Sequence, residues 1–335
     1  MSIQNTLTEY VKYFQEIRQA LPAIAEESGY SRGYITRSFV RCFFVHHVHL
    51  GVFRSLRLYN YTGAALRRFL TLQQCKTISD RLSAEASAED FDRLNDKHVF
   101  NSFFRGFVRR DWLYIPDSTP DQLRAFLAAH DRFLIKACSE TRGEGIELRR
   151  REDTDAEAFI REFSGKPYLL EALIEQHPAM AAINPSSVNT IRVITARKDD
   201  RAVIIGAGLR TGGGEQFVDN FHHGGTAYPI DLETGIISGR GIDLYGNPVL
   251  RHPATGVVMP GFQIPHWDML TEQVLKAAVV PPHVGYIGWD IAITPDGVEF
   301  IEGNVNYPGT TIIQLDGPGP YARLKDFLSS VGMRK

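Results

Sequence analysis

Apolar positions change period along this chain, and the change divides it. In the first 90 residues they recur at helical spacing. Leu7, Tyr10, Val11, Phe14, Ile17 and Leu21 mark one face, and Pro22 is expected to end that helix. From Ser187 onward the rhythm is that of strands. Segments 188–196 and 202–209 flank the polar turn Lys198-Asp199-Asp200, and 227–231 adds another strand. A helix follows at 270–278. Two apolar runs, 288–294 and 298–303, then enclose Pro295-Asp296-Gly297, which reads as a hairpin turn with glycine where positive φ is needed. Residues 321–328 read as a closing helix.

The middle of the chain mixes both periods. Residues 82–93 read as an acidic helix, 112–115 as a short strand closed by Pro116, and 119–129 as a helix with Pro120 at its first position. Strands at 133–135 and 146–149 surround a small polar loop. An amphipathic helix at 153–163 precedes an apolar strand at 168–174, interrupted by Glu171. The pattern is α+β with a helical N-terminal part.

Composition adds bounds. The chain has 335 residues, 43% hydrophobic, with a formal charge of −2, so it can bury a sizeable core in two or three packed units. That charge does not suggest a nucleic-acid binder. Cys42, Cys75 and Cys138 are widely spaced and odd in number, so no disulfide framework follows and a reducing cytoplasm is the default. Residues 1–20 are polar and carry acids, and no apolar run reaches about 18 residues. Neither a signal peptide nor a membrane span is expected.

Charge is uneven, however. Residues 31–72 are basic and aromatic, with Arg32, Arg37, Arg41, Arg54, Arg57, Arg67 and Arg68 among Phe39, Phe43, Phe44, Phe53 and Tyr59. One reading is a helix that docks on a membrane surface or a partner. The other, favoured here, is a cap packed on the main body, since a docked helix buries the same aromatics. His46, His47 and His49 have no acid or cysteine nearby, which argues against a metal.

The hairpin carries the clearest chemistry. If its loop is three residues, Thr294 pairs with Val298, and counting back sets Asp290 opposite Glu302. Opposed carboxylates destabilise a sheet unless something sits between them. Asn304 shares that face and offers a neutral oxygen. Mg²⁺ typically takes one or two carboxylates and completes its shell with water and phosphates. A solvated hairpin with two incidental acids is the equal alternative on spacing alone. Upstream, Lys136 ends a strand before the loop 137–145, which suits a flap whose N–H groups and lysine meet phosphates. The Walker A order is absent, and a plain hairpin turn is the other reading. The strand at 168–174 could present backbone to an adenine edge, with Glu171 or Glu175 bonding base or ribose, or be an edge strand with exposed acids. Arg192 and Arg210 lie in apolar strands and need a carboxylate or phosphate. Gly224-Gly225 lets backbone approach a ligand or forms a turn. His223 is a candidate acid, base or acceptor-binding group.

Taken in order, these pieces resemble the ATP-grasp superfamily, and more narrowly its sugar-transfer-associated branch, found with polysaccharide-building genes. The match is carried by LNDK at 94–97, FLIKACSETRGEGIE at 133–147, NPSSVNTIRVIT at 184–195, HPATGV at 252–257, IPHWD at 264–268 and YIGWDIAIT with IEGNVNYPG between 286 and 309. It covers roughly residues 90–315.

The resemblance implies an ATP-grasp fold, in which two α+β subdomains grip ATP between them. The expected division is a helical cap at 1–90, an N-terminal subdomain at 91–180 and a C-terminal subdomain at 181–335. Lys97 and Lys136 match the lysines on the α- and β-phosphates, and Ser139, Gly143 and Gly145 belong to the covering loop. Glu171, Ala172 and Ile174 match the adenine hinge. Arg192 and Arg210 match the arginines near the transferred phosphate. Asp290, Glu302 and Asn304 match the metal set for two Mg²⁺ ions. Asn220, Gly224 and Gly225 resemble a substrate-lining segment of ribosomal-protein glutamate ligases.

One departure follows the metal set. The branch usually reads Pro-Gly-His-Asp there, whereas this chain has Pro308-Gly309-Thr310-Thr311. These positions, with Asn306, are expected to face the acceptor. The implied activity is a cytoplasmic ATP-dependent carboxylate–amine ligase acting through an acyl phosphate on small molecules such as amino acids or sugar acids. A phosphotransferase on the same scaffold and a non-catalytic subunit of polysaccharide machinery are the alternatives.

Overall fold

The structure, a computed structural model, describes residues 3–138, 145–214, 224–305 and 308–333, with side chains from residue 13 on. Its helical cap begins with α1 (Ile3–Ser28), α2 (Arg32–His46) and α3 (Leu50–Ser55). Pro22 does not end α1 but lies inside it. Leu21, Ile24 and Ala25 are buried on either side of it, so tertiary packing outweighs the lost backbone bond. The basic aromatic stretch is not one helix. Ser31 caps α2, and His47, in the left-handed region, ends it. Phe39, Phe53 and Tyr59 turn inward and form the cap's own core with Ile24 and Ile35.

Three further helices follow, α4 (Leu72–Leu82), α5 (Ala88–Asn95) and α6 (Lys97–Phe103). The helix expected at 82–93 is split. Leu82 ends α4, and α5 starts afresh where Ser87 and Asp90 form a reciprocal capping box.

A small sheet comes next. It contains β1 (Trp112–Tyr114), β2 (Arg132–Ala137), β3 (Ile146–Arg150) and β4 (Tyr168–Ala172), in the order β1-β4-β2-β3 with every pair antiparallel. Helices α7 (Pro120–Ala129) and α8 (Ala156–Phe163) cover it, packing Leu123, Phe126, Phe159 and Phe163 on Phe133, Ile135 and Leu170. As the sequence anticipates, Thr119 and Pro120 open α7.

After the short α9 (Pro178–Ile183) comes the larger sheet. Its strands are β5 (Thr190–Lys198), β6 (Arg201–Thr211), β7 (Thr226–Ile230), β8 (Gly241–Asp243), β9 (Pro248–Val249), β10 (Tyr286–Thr294) and β11 (Gly297–Asn304). They run in the order β11-β10-β5-β6-β7-β8-β9. Helix α10 (Trp267–Ala278) joins α5 and α6 on one face, where Ile191, Val193, Leu209, Trp289 and Ile291 meet Leu94, Phe100, Phe104, Trp267 and Leu270. Leu94, Phe100 and Phe104 therefore pack into the larger sheet's core, across the boundaries of the expected 91–180 unit. On the other face, α4 and α11 (Gly319–Ser330) cover Ile194, Ala196, Ile205 and Tyr286.

That second face also carries the segment after β11, made possible by three glycines. A Cβ at Gly288 would come within 2.7 Å of Pro308, at Gly206 within 2.7 Å of Ile313, and at Gly208 within 2.2 Å of Ile312. Gln314, buried within this segment, holds the cap. Its Oε1 accepts from Leu70 N at 2.7 Å, and its Nε2 donates to Leu70 O at 3.1 Å. Replacing it by leucine strands three buried backbone groups, since Nε2 also donates to Thr310 O at 3.1 Å. Gln314→Leu should lower unfolding free energy by about 2 kcal/mol in urea denaturation. An unchanged midpoint would show that these bonds carry no such weight.

Candidate functional site

The hairpin built from β10 and β11 reaches the expected pairing by a different route. Thr294 pairs with Gly297, so the loop is two residues, one fewer than expected. A bulge then places Ile301 as an extra residue in β11, and Asp290 lies opposite Glu302 after all. Without the bulge Asp290 would meet Ile301, and Glu302 would fall on the other face. The bulge also puts Glu299, opposite Ala292, on the same face as Glu302.

Across the sheet, β11, β10, β5 and β6 contribute Glu302, Asp290, Arg192 and Arg210 in that order. Arg192 grips Asp290 with two nitrogens, Nε to Oδ1 at 2.5 Å and Nη2 to Oδ2 at 2.8 Å, while its Nη1 donates to Pro308 O at 2.8 Å. Arg210 Nη1 reaches Asp290 Oδ2 at 3.1 Å. Burial raises the Asp290 pKa, but the two guanidinium groups outweigh it and hold the carboxyl down at about 2. Glu302 keeps some exposed surface, yet its carboxyl is enclosed. Burial and the neighbouring Asp290 charge push it up to about 6. Its neutral partner is Asn304, whose Nδ2 donates to Glu302 Oε1 at 3.1 Å and to Gly288 O at 3.4 Å.

The raised carboxyl marks a place short of positive charge. Two carboxylates and an amide oxygen fit Mg²⁺ that arrives with phosphate and water ligands. They do not form a protein cage, since among the described residues no three His, Cys, Asp or Glu side chains converge. His49 packs its ring edge-on to Tyr13 and Phe43.

The small sheet supplies Lys136, and α6 supplies Lys97. Asp96 caps α6, and Lys97, its first residue, sends Nζ to Ala137 O at 3.1 Å. Burial and the charge of Lys136 lower the Lys97 pKa, while Glu302 raises it, so Lys97 feels both sheets. Lys136 Nζ lies 2.5 Å from Glu171 Oε2. This corrects one expectation. Glu171 is 2% exposed, and its carboxylate is committed to Lys136, to Asn101 Nδ2 at 2.8 Å and to Arg110 Nη2 at 2.7 Å, rather than offered to a base or ribose. Burial opposes its charge, but Arg110 and Lys136 hold its carboxyl well below the usual range. Past it, Ala172 ends β4 and Ile174 lies in the connection to α9, both half-buried, with Ala172 N donating to Asp111 O and His177 N to Ile293 O.

Sequence reasoning missed Arg110. Its Nη1 bonds Glu299 Oε1 at 2.6 Å and Phe300 O at 2.7 Å. Glu299 also accepts from the backbone N–H groups of Arg109 and Arg110. One buried guanidinium therefore joins a strand of each sheet. The available signal was Glu299 itself, an acid within an apolar strand that must find a cation.

The glycine loop is braced from below. Asn184 Nδ2 and His252 Nε2 both donate to Gly212 O, at 3.3 and 2.9 Å. This gives the 252–257 motif a structural reason. A Cβ at Gly213 would lie 1.9 Å from Gly224 O, and Gly224 has φ +87°, just before Gly225. Gly145, with φ +68°, closes the flap by accepting from Ala137 N. Ser139, Gly143, Asn220, His223 and Asn306 lie outside the described residues.

The family described as sugar-transfer-associated ATP-grasp matches residues 87–328. No curated protein matches the chain. Among solved structures, it is similar to the ATP-grasp ligase PsnB complexed with a minimal precursor, at 17% identity over 71% of this chain and 62% of that one, TM-score 0.43. It is also similar to D-alanyl-alanine synthetase A from Vibrio cholerae, at 14% identity over 71% and 62%, TM-score 0.43. A third is N5-carboxyaminoimidazole ribonucleotide synthetase from Thermus thermophilus, at 14% identity over 68% and 50%, TM-score 0.42. The chain thus spans 62% or less of the length of these proteins.

Two outcomes test the electrostatics. Folding raises the Glu302 carboxyl from 4.5 to about 6, so its contribution to stability is complete below pH 4.5 and is lost as pH rises through about 6. Asp290 acts in a separate window, below its ordinary 3.8. In buffer free of divalent ions, the parent should therefore lose on the order of 1–2 kcal/mol relative to Glu302→Gln across that upper window. A pH-independent difference in urea titrations would refute the assignment. Arg110→Met strips buried Glu299 of its cation and leaves Glu171 with Lys136 alone, and should cost about 3–5 kcal/mol, measured the same way. A loss under 1 kcal/mol would mean that the bridge is dispensable.

Proposed function

Since the chain belongs to the sugar-transfer-associated ATP-grasp family, which uses ATP and Mg²⁺, we propose that it is an ATP-dependent ligase joining a carboxylate to an amine. The observation that carries this reading is the row of Glu302, Asp290, Arg192 and Arg210 on four adjacent strands, with Lys97 under the influence of both Glu302 and Lys136. Acids at one end of the row suit a cation. Arginines at the other suit a phosphoryl group in transfer.

In the proposed reaction, the substrate carboxylate attacks the γ-phosphorus and the bond to the β-phosphate oxygen breaks, giving an acyl phosphate and ADP. The amine then attacks the carbonyl carbon, phosphate leaves and the amine loses a proton. Lys97 and Lys136 hold the nucleotide phosphates, and Glu171 aims Lys136. Arg192, with all three nitrogens engaged, fixes Asp290, and we assign Arg210 to the transferred phosphoryl group. Asp290, Glu302 and Asn304 would hold Mg²⁺, whose charge offsets that of the β- and γ-phosphate oxygens. Ala172 and Ile174 would frame the base. Ser139, Gly143 and Gly145 would cover the phosphates, while Asn220, His223, Gly224, Gly225 and Asn306 would line the acceptor side.

The reading needs no covalent nucleophile. Cys138, near the flap, supports this, since burial pushes its thiol up to about 11 and leaves little thiolate at neutral pH. The substrates would be small carboxylates and amines, such as amino acids or sugar acids in polysaccharide-linked metabolism.

The test is ADP release with ATP and Mg²⁺ over amino acids and sugar acids, singly and in pairs, with mass detection of joined product. ADP and free phosphate should form only with a matched pair. A stable phosphorylated product from one substrate would indicate phosphotransfer, and failure to bind ATP would indicate a non-catalytic role. Glu302→Gln should reduce turnover by about 10²-fold or more while remaining folded. Near-parent turnover would remove Glu302 from the metal set.

A further inference from the structure

The two faces of α2 point to different surroundings. Ile35, Phe39 and Cys42 face the cap core. On the opposite face, Val40 is 46% exposed, Phe44 70% and Val45 63%, and Phe14 of α1 is 64% exposed. Arg37 and Arg41 stand exposed on the same outward side as Val40 and Phe44, at helical spacings of three and four. Arg41 and Arg67 both lie near His46 at the end of α2. The helix contains no Asp or Glu. The exposed acid described beside Phe14 is Glu16, flanked by Arg18.

We propose that this outward face of α2 docks on an anionic lipid bilayer. Large apolar side chains left in water on a folded protein mark an interaction surface. Here they are interleaved with arginines, the composition of a helix that lies in a membrane interface, with rings among the acyl chains and cations at the headgroup phosphates. Pairing with a second copy through the same face would set Arg37 and Arg41 against their own kind, which is unfavourable. The contact is peripheral, since among the described residues no helix is long and apolar enough to cross a membrane. This surface is independent of the nucleotide reading.

Vesicle sedimentation of the full chain tests the proposal. The parent should pellet with vesicles of phosphatidylcholine and phosphatidylglycerol, and much less with phosphatidylcholine alone. Phe44→Glu combined with Val45→Glu should cut anionic-vesicle partitioning about tenfold or more, as should Arg37→Gln with Arg41→Gln, which should also flatten the salt dependence. All four positions are exposed, so melting temperature should stay close to the parent's. A parent that ignores both vesicle types, or binds both equally, overturns the proposal. So does a self-association, seen by light scattering, that the Phe44 variant abolishes while vesicle binding persists.

Discussion

The two sheets are held in one arrangement by a buried guanidinium. Arg110 carries an almost fully buried side chain and bonds Glu171 of the small sheet and Glu299 of the larger one. Neither acid is tolerable there alone, because a carboxylate out of water needs a cation or a proton. Glu171 passes the constraint on to Lys136. Glu299 passes it to the hairpin, on whose same face Glu302 lies. Through Glu171 and Glu299 that one side chain ties Lys136 to the carboxylates of the larger sheet, before any ligand enters. Such preorganisation matters where a reaction needs positioning and charge stabilisation rather than a covalent nucleophile.

Within the row on the larger sheet, environment gives like groups unlike properties. Asp290 and Glu302 are opposed carboxylates. One is neutralised by two arginines and stays ionised well into acid, while the other has an amide for company and titrates near neutrality. Both results follow from which strand lies next to which. Arg192 and Arg210 reach Asp290 from β5 and β6, and Glu302 stands at the sheet edge on β11.

Much of this was legible in the sequence wherever the deciding interaction is local. Thr119-Pro120 announces α7, and turn residues announce the hairpin. The Asp290–Glu302 pairing was read correctly through a turn counted one residue too long, and a bulge at Ile301 restored the register. Glu171 was misread because its cation stands 61 residues away, and nothing in a linear pattern couples them. Pro22 misled for the opposite reason, since a strong local signal lost to packing by Leu21 and Ile24. The basic aromatic stretch was posed as a choice between packing and docking, but α2 has an inner and an outer face. Phe39 answers to one and Phe44 to the other.

The bond pair between Gln314 and Leu70 has a consequence for synthesis. These residues are separated by 244 positions, so a chain emerging from the ribosome completes α2, α3 and α4 long before their anchor exists. Until residue 314 is out, the Leu70 backbone groups have no Gln314 to answer them, and α4 lacks Leu324 and Phe327 on the sheet it will cover. The cap is therefore a late-docking element, and the Leu70, Cys75 and Leu82 side chains that meet the sheet and α11 are uncovered for most of translation. Chaperone capture and aggregation during expression would both act on that interval.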